Sequence, residues 1–194
     1  MDKKVLRNLS YGVYVVTSRD KDKNVGCIAN SIMQVTSNPS VIAVSINHDN
    51  YTNKVIKENN KFGVSILKET TDAKIIGTFG FKSSKDTDKF DGINFKEISE
   101  IPVLENTCGY MVCKVIDTME TSTHTIFLGE VIEADDYSTE NAMTYKYYHE
   151  NLKGSSPKNA PTYEETSISQ VDKESKKRKW RCSICGYIHE ADEL

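Results

Sequence analysis

The chain has 194 residues, and its 25 lysines and arginines nearly balance its 28 aspartates and glutamates, which leaves a formal net charge of −3. This length favours one domain of ordinary size with a small appendage, and the balanced charge gives no bias toward nucleic acid or an acidic membrane surface. The N-terminal residues lack the apolar run of a signal peptide, and no apolar stretch is long enough to cross a bilayer. We therefore expect a cytoplasmic protein with neither a nucleic-acid nor a membrane partner.

The first half of the chain predicts strands that are interrupted by two short helices. Apolar runs between polar turns predict strands at residues 11–17, 25–36, 41–47 and 61–67. The helical spacing of Tyr51, Val55 and Ile56 predicts one short helix, and a second follows a Thr or Asp cap near residue 72. Residues 82–91 have the composition of a charged surface loop.

The second half of the chain predicts a long hairpin followed by a linker. Residues 108–121 and 124–135 alternate as two strands around a short Ser-Thr turn. Strands dominate over helices, which favours a barrel or a sandwich. After residue 154 the sequence becomes rich in Ser, Pro, Lys and Glu, which is typical of a linker or an extended arm. Its basic run at 176–179 has no aromatic surface beside it, so we interpret it as solvated linker.

The five cysteines fall into two groups. An odd number argues against the disulfide framework of a secreted protein. Cys108 and Cys113 are five apart in a predicted strand and would point to opposite faces. Together with Cys27 they are expected to be small core residues. Cys182 and Cys185 differ, because their C-x-x-C spacing lets both sulfurs face one metal.

The stretch WRCSICGYIHE resembles the first of the two C-x-x-C-G-Y knuckles with which rubredoxins hold one iron. Zinc ribbons share this knuckle, and the YIHEADE that follows favours iron. Cys182 and Cys185 are two of the four ligands that an Fe(Cys)4 site needs, so the site is incomplete in this chain. Three explanations stay open: the sequence is truncated, a second protomer supplies the other pair, or the pair is a remnant. His189 is expected to be a strand residue and not a ligand.

The segment VGCIANSIMQVTSNPSVIAVSIN resembles the flavin reductase-like family, whose members are split β-barrels that bind FMN. Its signature is a small-residue strand that carries Ala29, Asn30 and Ser31, then a turn with Pro39, then a buried strand with a polar end. The later blocks HDNYTNKVIKENNKFGVSIL, DKFDG, HTIFLGEV and YYHENLKGSSPKNAPTY follow in the family's order. The resemblance covers about residues 1–163.

The resemblance implies a mainly β fold. We expect an FMN-binding split β-barrel of Greek-key type with short flanking helices, plus a partial rubredoxin knuckle at the C-terminus. The predicted division of the chain is a flavin reductase-like domain over 1–163, a linker over 164–179 and a partial rubredoxin-like domain over 180–194.

Asn30 and Thr52 are the two positions where residue chemistry and resemblance meet. Asn30 lies between two isoleucines and needs a polar partner if it is buried; a flavin's pyrimidine edge or a neighbouring loop would supply one. Thr52 lies at a predicted helix N-terminus, which suits a phosphate, although it is also an ordinary cap. The resemblance implies that Asn47, Tyr51 and Thr52 contact the FMN phosphate and ribityl chain, and that Lys89 contacts the phosphate.

Two histidines are expected near the flavin. The resemblance implies that His124, at the start of the last long strand, acts in catalysis close to the flavin or the nicotinamide. Ser122 and Thr123 stand where the family has Gly-Asp, and an ordinary strand-edge histidine is the alternative. His149 would approach the flavin from the C-terminal arm.

The two halves together suggest an electron relay. The sequence has no G-x-G-x-x-G motif, so NAD(P)H would dock directly on the flavin. A flavin reductase domain followed by a rubredoxin is similar to the high-molecular-weight rubredoxins of anaerobes, which implies electron delivery to an acceptor such as a diiron flavoprotein. The resemblance also implies a homodimer. The alternatives are a non-enzymatic FMN electron carrier and a regulatory protein with a zinc knuckle and an empty barrel.

Overall fold

The structure of the chain is a computed structural model. It describes residues 3–137, 139–152, 154, 160–162, 178–181 and 188–191.

Strands dominate the described part of the chain, as predicted. In chain order the first nine strands are β1 (Tyr14–Asp20), β2 (Lys23–Ala29), β3 (Ile32–Ser37), β4 (Ser40–Asn47), β5 (Lys61–Ile66), β6 (Phe95–Ile98), β7 (Ile101–Leu104), β8 (Gly109–Glu120) and β9 (His124–Asp136). The helices are a 3₁₀ helix at Lys3–Asn8, α1 (Tyr51–Asn59), α2 (Ala73–Phe81) and α3 (Tyr145–Asn151). Seven strands form one antiparallel sheet in the order β2-β1-β5-β8-β9-β4-β3, and β6 pairs with β7.

The main sheet is rolled, because its two outermost strands follow each other in the chain. β2 and β3 lie at opposite ends of the strand order, yet only Asn30 and Ser31 separate them. Three Cα–Cα steps span at most about 11 Å, so the two edges of the sheet must come together. The Ser45 amide donates to the Ser31 carbonyl at 3.1 Å across this meeting point. We refer to the Asn30–Ser31 connection as the seam.

The seam corrects the prediction of one continuous strand over 25–36. Apolar residues continue on both sides of Asn30 and Ser31, so the pattern indicates one strand, although Asn and Ser are also common turn residues. The chain leaves one edge of the sheet after Ala29 and enters the opposite edge at Ile32. Ser31 therefore does not continue the face of β2 that carries Cys27 and Ala29.

Three apolar clusters lie among the described residues, and the two larger ones hold the sheet and the helices together. The inner face of the rolled sheet carries one cluster, which includes Val16, Val44, Phe62 and Phe127. A second cluster lies between the sheet and the helices and includes Val15, Phe79, Leu104 and Tyr148. Successive side chains of a strand point to opposite faces, so Val15 and Val16 of β1 contribute to different clusters. Burying each such side chain contributes about 1.5–3 kcal/mol.

Both predicted helices are confirmed, and their ends follow from local capping. Asn50 precedes α1, and its side chain accepts a hydrogen bond from the Thr52 amide at 3.4 Å. Asn60 ends the helix in the left-handed region at φ 55° and donates its N–H to the Ile56 carbonyl at 2.8 Å. Asp72 caps α2 by accepting from the Lys74 amide at 2.8 Å.

The second half of the chain confirms the long hairpin, now β8 and β9, and adds the unpredicted pair β6 and β7. The prediction of a solvated loop at 82–91 is only partly right. Ser84 and Lys89 are each 2% exposed, and Phe90 packs edge-on against Phe79 at 5.3 Å between ring centroids. Part of this charged loop therefore packs against α2 and is not solvated.

The structure agrees with the expected core role of three cysteines. Cys27, Cys108 and Cys113 are buried free thiols, and burial raises the pKa of Cys113 to about 12. In the described residues, none of the helices combines the length and apolar character needed to cross a membrane.

The C-terminal part is described only as a small hairpin of β10 (Arg178–Arg181) and β11 (Ile188–Ala191). Cys182 and Cys185, the predicted metal ligands, lie between these strands and outside the described residues. The proposed domain boundaries near residues 163 and 180 likewise stay predictions.

Candidate functional site

A cavity of about 370 Å³ opens where the seam meets the helices. Its walls come from the ends of β2 and β4, the start of α1, the end of α2, the helix α3 and residues 160–161. Small-molecule and cofactor sites have volumes of about 300–1,000 Å³. The cavity therefore has room for a cofactor of moderate size.

One end of the cavity is the N-terminus of α1. Asn50 and Tyr51 line the cavity at this point, and the first turn of the helix carries no acidic residue. Thr52 is fully buried next to these residues, and its hydroxyl has no nitrogen or oxygen partner among the described residues but lies beside the buried Cys27 thiol. The Asn50 amide donates to the Asn47 carbonyl, and the Thr52 amide donates to Asn50 Oδ1 at the long distance of 3.4 Å. What this end of the cavity offers an anion such as a phosphate is therefore the Tyr51 amide and the positive end of the helix dipole.

The seam places a buried amide in the cavity wall. Asn30 is 4% exposed and lines the cavity. Its Nδ2 donates to Thr162 Oγ1 at 3.1 Å, and Ser31 Oγ donates to its Oδ1 at 2.9 Å. A side-chain amide offers two donors and two acceptor positions, so one of each remains for a ligand. The expected alternative, a bond from Asn30 to a neighbouring segment of the chain, is present in the structure.

Aromatic side chains supply much of the apolar wall. Tyr145 and Tyr148 of α3 lie nearly parallel, at 22°, with ring centroids 6.2 Å apart, and Phe79 and Phe81 of α2 also line the cavity. Aromatic faces of this kind suit a flat conjugated ring. Together with the polar ends, they fit a molecule that carries a planar ring at one end and an anionic group at the other.

Most predicted cofactor residues lie in or beside this cavity, although no contact with a ligand is tested. Ala29, Asn30, Asn47 and Tyr51 line it. Ser31 contacts Asn30, and Thr52 follows directly after Tyr51 in α1. The Tyr51 hydroxyl itself donates to Asp20 Oδ2 at 2.6 Å.

Lys89 lies outside the lining of the cavity. Its ammonium donates to the carbonyls of Gly26 at 2.7 Å and Phe79 at 3.1 Å. Burial lowers the pKa of Lys89 to about 8, and the nearby Cys27 thiol acts in the opposite direction. Lys89 thus ties the edge of β2 to α2, and its predicted phosphate contact stays a prediction.

Neither predicted histidine lines the cavity. His124 is opposite Asn47 in the ladder of β9 and β4, and its Nδ1 lies 2.8 Å from Thr123 Oγ1. His149 Nδ1 lies 2.8 Å from the Gly154 carbonyl, which can only accept, so Nδ1 carries the proton. Its ring meets the edge of Tyr145 at 4.3 Å between centroids. His124 pairs with the lining residue Asn47, and His149 follows the lining residue Tyr148. Their roles near a flavin stay predictions.

Sequence reasoning missed several lining residues: Lys82, Ser83, Tyr145, Tyr148, Ala160 and Pro161. Lys82 and Ser83 were assigned to the charged loop. The available signal was their position directly after an apolar helix, because residues that follow such a helix lie at the edge of the surface against which it packs. For the tyrosines the signal was the cluster YKYY itself, which exceeds what one buried helix face needs.

No metal centre is described. Among the described residues, no group of three or more His, Cys, Asp or Glu side chains could hold a metal ion. β10 and β11 are antiparallel, with Arg181 opposite Ile188. This pairing brings together the two ends of the segment that contains Cys182 and Cys185.

Comparison with known proteins places these features among redox proteins. Residues 6–156 match the sequence model of a family described as "Flavin reductase like domain". The chain is 40% identical to the high molecular weight rubredoxin of Moorella thermoacetica, over 98% of this chain and 83% of that protein. It is 38% identical to the ferric-chelate reductase (NAD(P)H) of Archaeoglobus fulgidus, over 86% of this chain and 99% of that protein.

A solved structure is similar to the barrel. The NADH:FAD oxidoreductase of Streptomyces globisporus C-1027 superimposes with a TM-score of 0.68 and 26% sequence identity, over 73% of this chain and 85% of that chain. The predicted fold class, a mainly β flavin reductase-type split barrel, is therefore confirmed.

Proposed function

The chain belongs to the flavin reductase-like family, and from that premise we propose that it is an FMN-dependent oxidoreductase that takes hydride from NAD(P)H. We further propose that electrons leave through a rubredoxin-type iron site for an acceptor such as a diiron flavoprotein. The observation that carries the flavin assignment is the cavity at the seam, with aromatic walls and a helix N-terminus at one end.

The residues of the cavity fit FMN in three places. The Tyr51 amide at the start of α1 and the Thr52 hydroxyl would hold the phosphate. The remaining donor and acceptor of Asn30 match the carbonyl and N–H of a pyrimidine edge. Ala29, as a small residue in the wall, leaves room for a ring to approach. Bound flavin would supply the chemistry that accepts two electrons as hydride and releases them singly.

The chain's own residues would orient the ring and keep water away from it. Tyr148 is 5% exposed and Phe79 is 1% exposed, so the walls that they form are already packed against the rest of the protein. Asn47 sits at the end of β4, where His124 is its neighbour on β9. We propose that His124 acts at the nicotinamide side of the site, and that His149 supports Tyr145 from behind.

The comparison with the Moorella rubredoxin supports an iron exit site. Because that match covers 98% of 194 residues, only about four residues fall outside it. A match of this extent includes Cys182 and Cys185. We propose that they are two thiolate ligands of an Fe(Cys)4 site, and that a further pair of cysteines completes it.

A homodimer is proposed from the exposed apolar side chains of three strands of the main sheet. Met33 and Val35 of β3 are 65% and 46% exposed, Ile116 and Met119 of β8 are 51% and 58% exposed, and Ile132 of β9 is 42% exposed. A group of this kind on one sheet marks an interaction surface, and a second copy is the occupant that the family implies. The free thiols of the described core are consistent with the proposed cytoplasmic location.

Rapid mixing of the FMN-loaded protein with NADH and with NADPH, without oxygen, tests the proposal. We expect at least one nucleotide to bleach the flavin absorbance at a rate that saturates with concentration. Such saturation separates an enzyme with a nicotinamide site from an electron carrier. If both nucleotides reduce the bound flavin no faster than free FMN, the chain is a carrier, and if the protein takes up no FMN the flavin assignment is wrong.

A further inference from the structure

Residues 160–162 form part of the cavity wall, far along the chain from the barrel strands. Ala160 and Pro161 line the cavity. Thr162 follows them, and its hydroxyl is bonded on two sides: it accepts from Asn30 Nδ2 at 3.1 Å and donates to the Tyr145 hydroxyl at 2.8 Å. These partners are 132 and 17 residues away in sequence.

Both partners of Thr162 are cavity residues themselves. Asn30 belongs to the seam and Tyr145 to α3, so one hydroxyl joins two separate walls. Both hydrogen bonds are partly buried, and water competes less for them than it would on an open surface. A methyl group in place of the hydroxyl would leave the buried Asn30 N–H without this partner.

We propose that Thr162 is a positioning residue of the flavin site, an inference that rests on the proposed function. Its hydroxyl holds residues 160–162 against the cavity as an outer wall, and it orders the Asn30 amide and the Tyr145 ring that face the ligand. Thr162 is also the point from which the chain continues toward Cys182. Residues 160–162, which would enclose the flavin, are therefore directly followed by the segment that leads to Cys182 and Cys185.

The test compares three variants of the full chain by the rate at which bound FMN dissociates, followed by flavin fluorescence after dilution. Thr162→Val removes the hydroxyl and keeps the shape, and Thr162→Ser keeps the hydroxyl. Thr139→Val makes the same chemical change at an exposed position between β9 and α3. We expect Thr162→Val to dissociate FMN about tenfold faster, as the loss of two modest hydrogen bonds implies, and the other two to stay within about twofold of the parent.

A double-mutant cycle with Tyr145→Phe asks whether the hydroxyl acts through its partner. If Thr162 positions the Tyr145 ring, the two substitutions together will cost less than the sum of their separate effects. An unchanged dissociation rate in Thr162→Val would overturn the inference. So would Thr162→Ser behaving like Thr162→Val, because the methyl packing and not the hydroxyl would then matter.

The outcome separates this inference from the proposed function. A parent protein that does not take up FMN contradicts the flavin assignment itself. A parent that binds FMN, with all three variants indistinguishable from it, contradicts only the role of Thr162. The melting temperatures of the FMN-free forms should agree within a few degrees, which excludes general unfolding as the cause of faster release.

Discussion

At the scale of single residues, Thr52 is the side chain whose position is hardest to explain without a ligand. It is fully buried in the first turn of α1, and its hydroxyl has no nitrogen or oxygen partner among the described residues, with only the buried Cys27 thiol beside it. Leaving such a group unsatisfied costs about 1–3 kcal/mol. A phosphate at the helix N-terminus would satisfy the hydroxyl and accept from the Tyr51 amide beside it.

Thr52→Val should therefore change stability and affinity in opposite directions. The FMN-free variant should be more stable than the parent, by up to about 1–3 kcal/mol, because it buries no unsatisfied hydroxyl. Its affinity for FMN should fall about tenfold through the loss of one charge-assisted hydrogen bond. Urea denaturation and fluorescence titration measure the two effects.

Riboflavin, which lacks the phosphate, is the matched ligand for Thr52→Val. It should bind the parent and the variant equally well. A variant that loses as much affinity for riboflavin as for FMN would place the phosphate elsewhere.

Lys89 predicts a pH dependence of stability. Its pKa is lowered to about 8 by burial, whereas an unfolded lysine titrates near 10.4. Between these values the unfolded chain binds more protons at this site, so the contribution of Lys89 to the free energy of unfolding rises with pH. That contribution is present in full above about pH 10.4 and is lost as the pH falls through 8.

The comparison of the parent with Lys89→Met isolates the contribution of Lys89 to the free energy of unfolding. From pH 7.5 to 10, in urea denaturation, the stability of the parent should rise relative to that of the variant. Parallel curves across this range would mean that the ammonium is not desolvated as the structure describes.

At the scale of elements, the seam is the feature that builds the site, and the sequence did not predict it. Strands 41–47 and 61–67 and both helices were predictable from apolar spacing and caps, and they are confirmed within a few residues. The break after Ala29 was not, because Asn30 and Ser31 fit a continuing strand as well as a crossing between sheet edges. Local pattern reports which face a residue takes, but not which neighbour its strand will pair with.

Gly129 of β9 predicts how tightly the barrel interior is packed. A Cβ at this position would lie 2.6 Å from Phe62 Cζ and 2.8 Å from Cys113 Cβ. Phe62 and Cys113 are fully buried, so they have little room to move. Gly129→Ala should lower the free energy of unfolding by about 1–3 kcal/mol through overpacking.

Thr118→Ala, at an exposed position of β8 in the same hairpin, is the control for Gly129→Ala. Urea denaturation should place it within about 0.5 kcal/mol of the parent. Equal stability of Gly129→Ala and the parent would show that the interior of the barrel is looser than described.

At the scale of the whole molecule, family resemblance predicted more than physical pattern did. Asn30, Asn47 and Tyr51 were expected at a cofactor site and do line the cavity. Tyr145 and residues 160–161 were not expected, because their place depends on how a C-terminal arm returns across the barrel. The contact of Thr162 with Asn30 joins residues that are 132 positions apart, and the local pattern around residues 160–162 does not encode it.

The exposed apolar surface predicts the oligomeric state. Met33→Glu and Met119→Glu each place a charge among exposed apolar side chains of β3 and β8. We expect either substitution to shift a dimer to a monomer in light scattering after gel filtration, because an unpaired charge within an interface is costly. Val5→Glu, at a position that is 62% exposed on the 3₁₀ helix, should leave the dimer intact. A parent protein that is already monomeric would contradict the proposal that this surface forms a dimer interface.

A crystal structure of the protein with FMN would show whether the flavin occupies the cavity at the seam. We expect the ring between the seam and the aromatic residues of α2 and α3, with the phosphate at the N-terminus of α1 beside the Tyr51 amide. Density for FMN at another surface, or a cavity filled by the protein's own side chains in crystals that contain FMN, would contradict it.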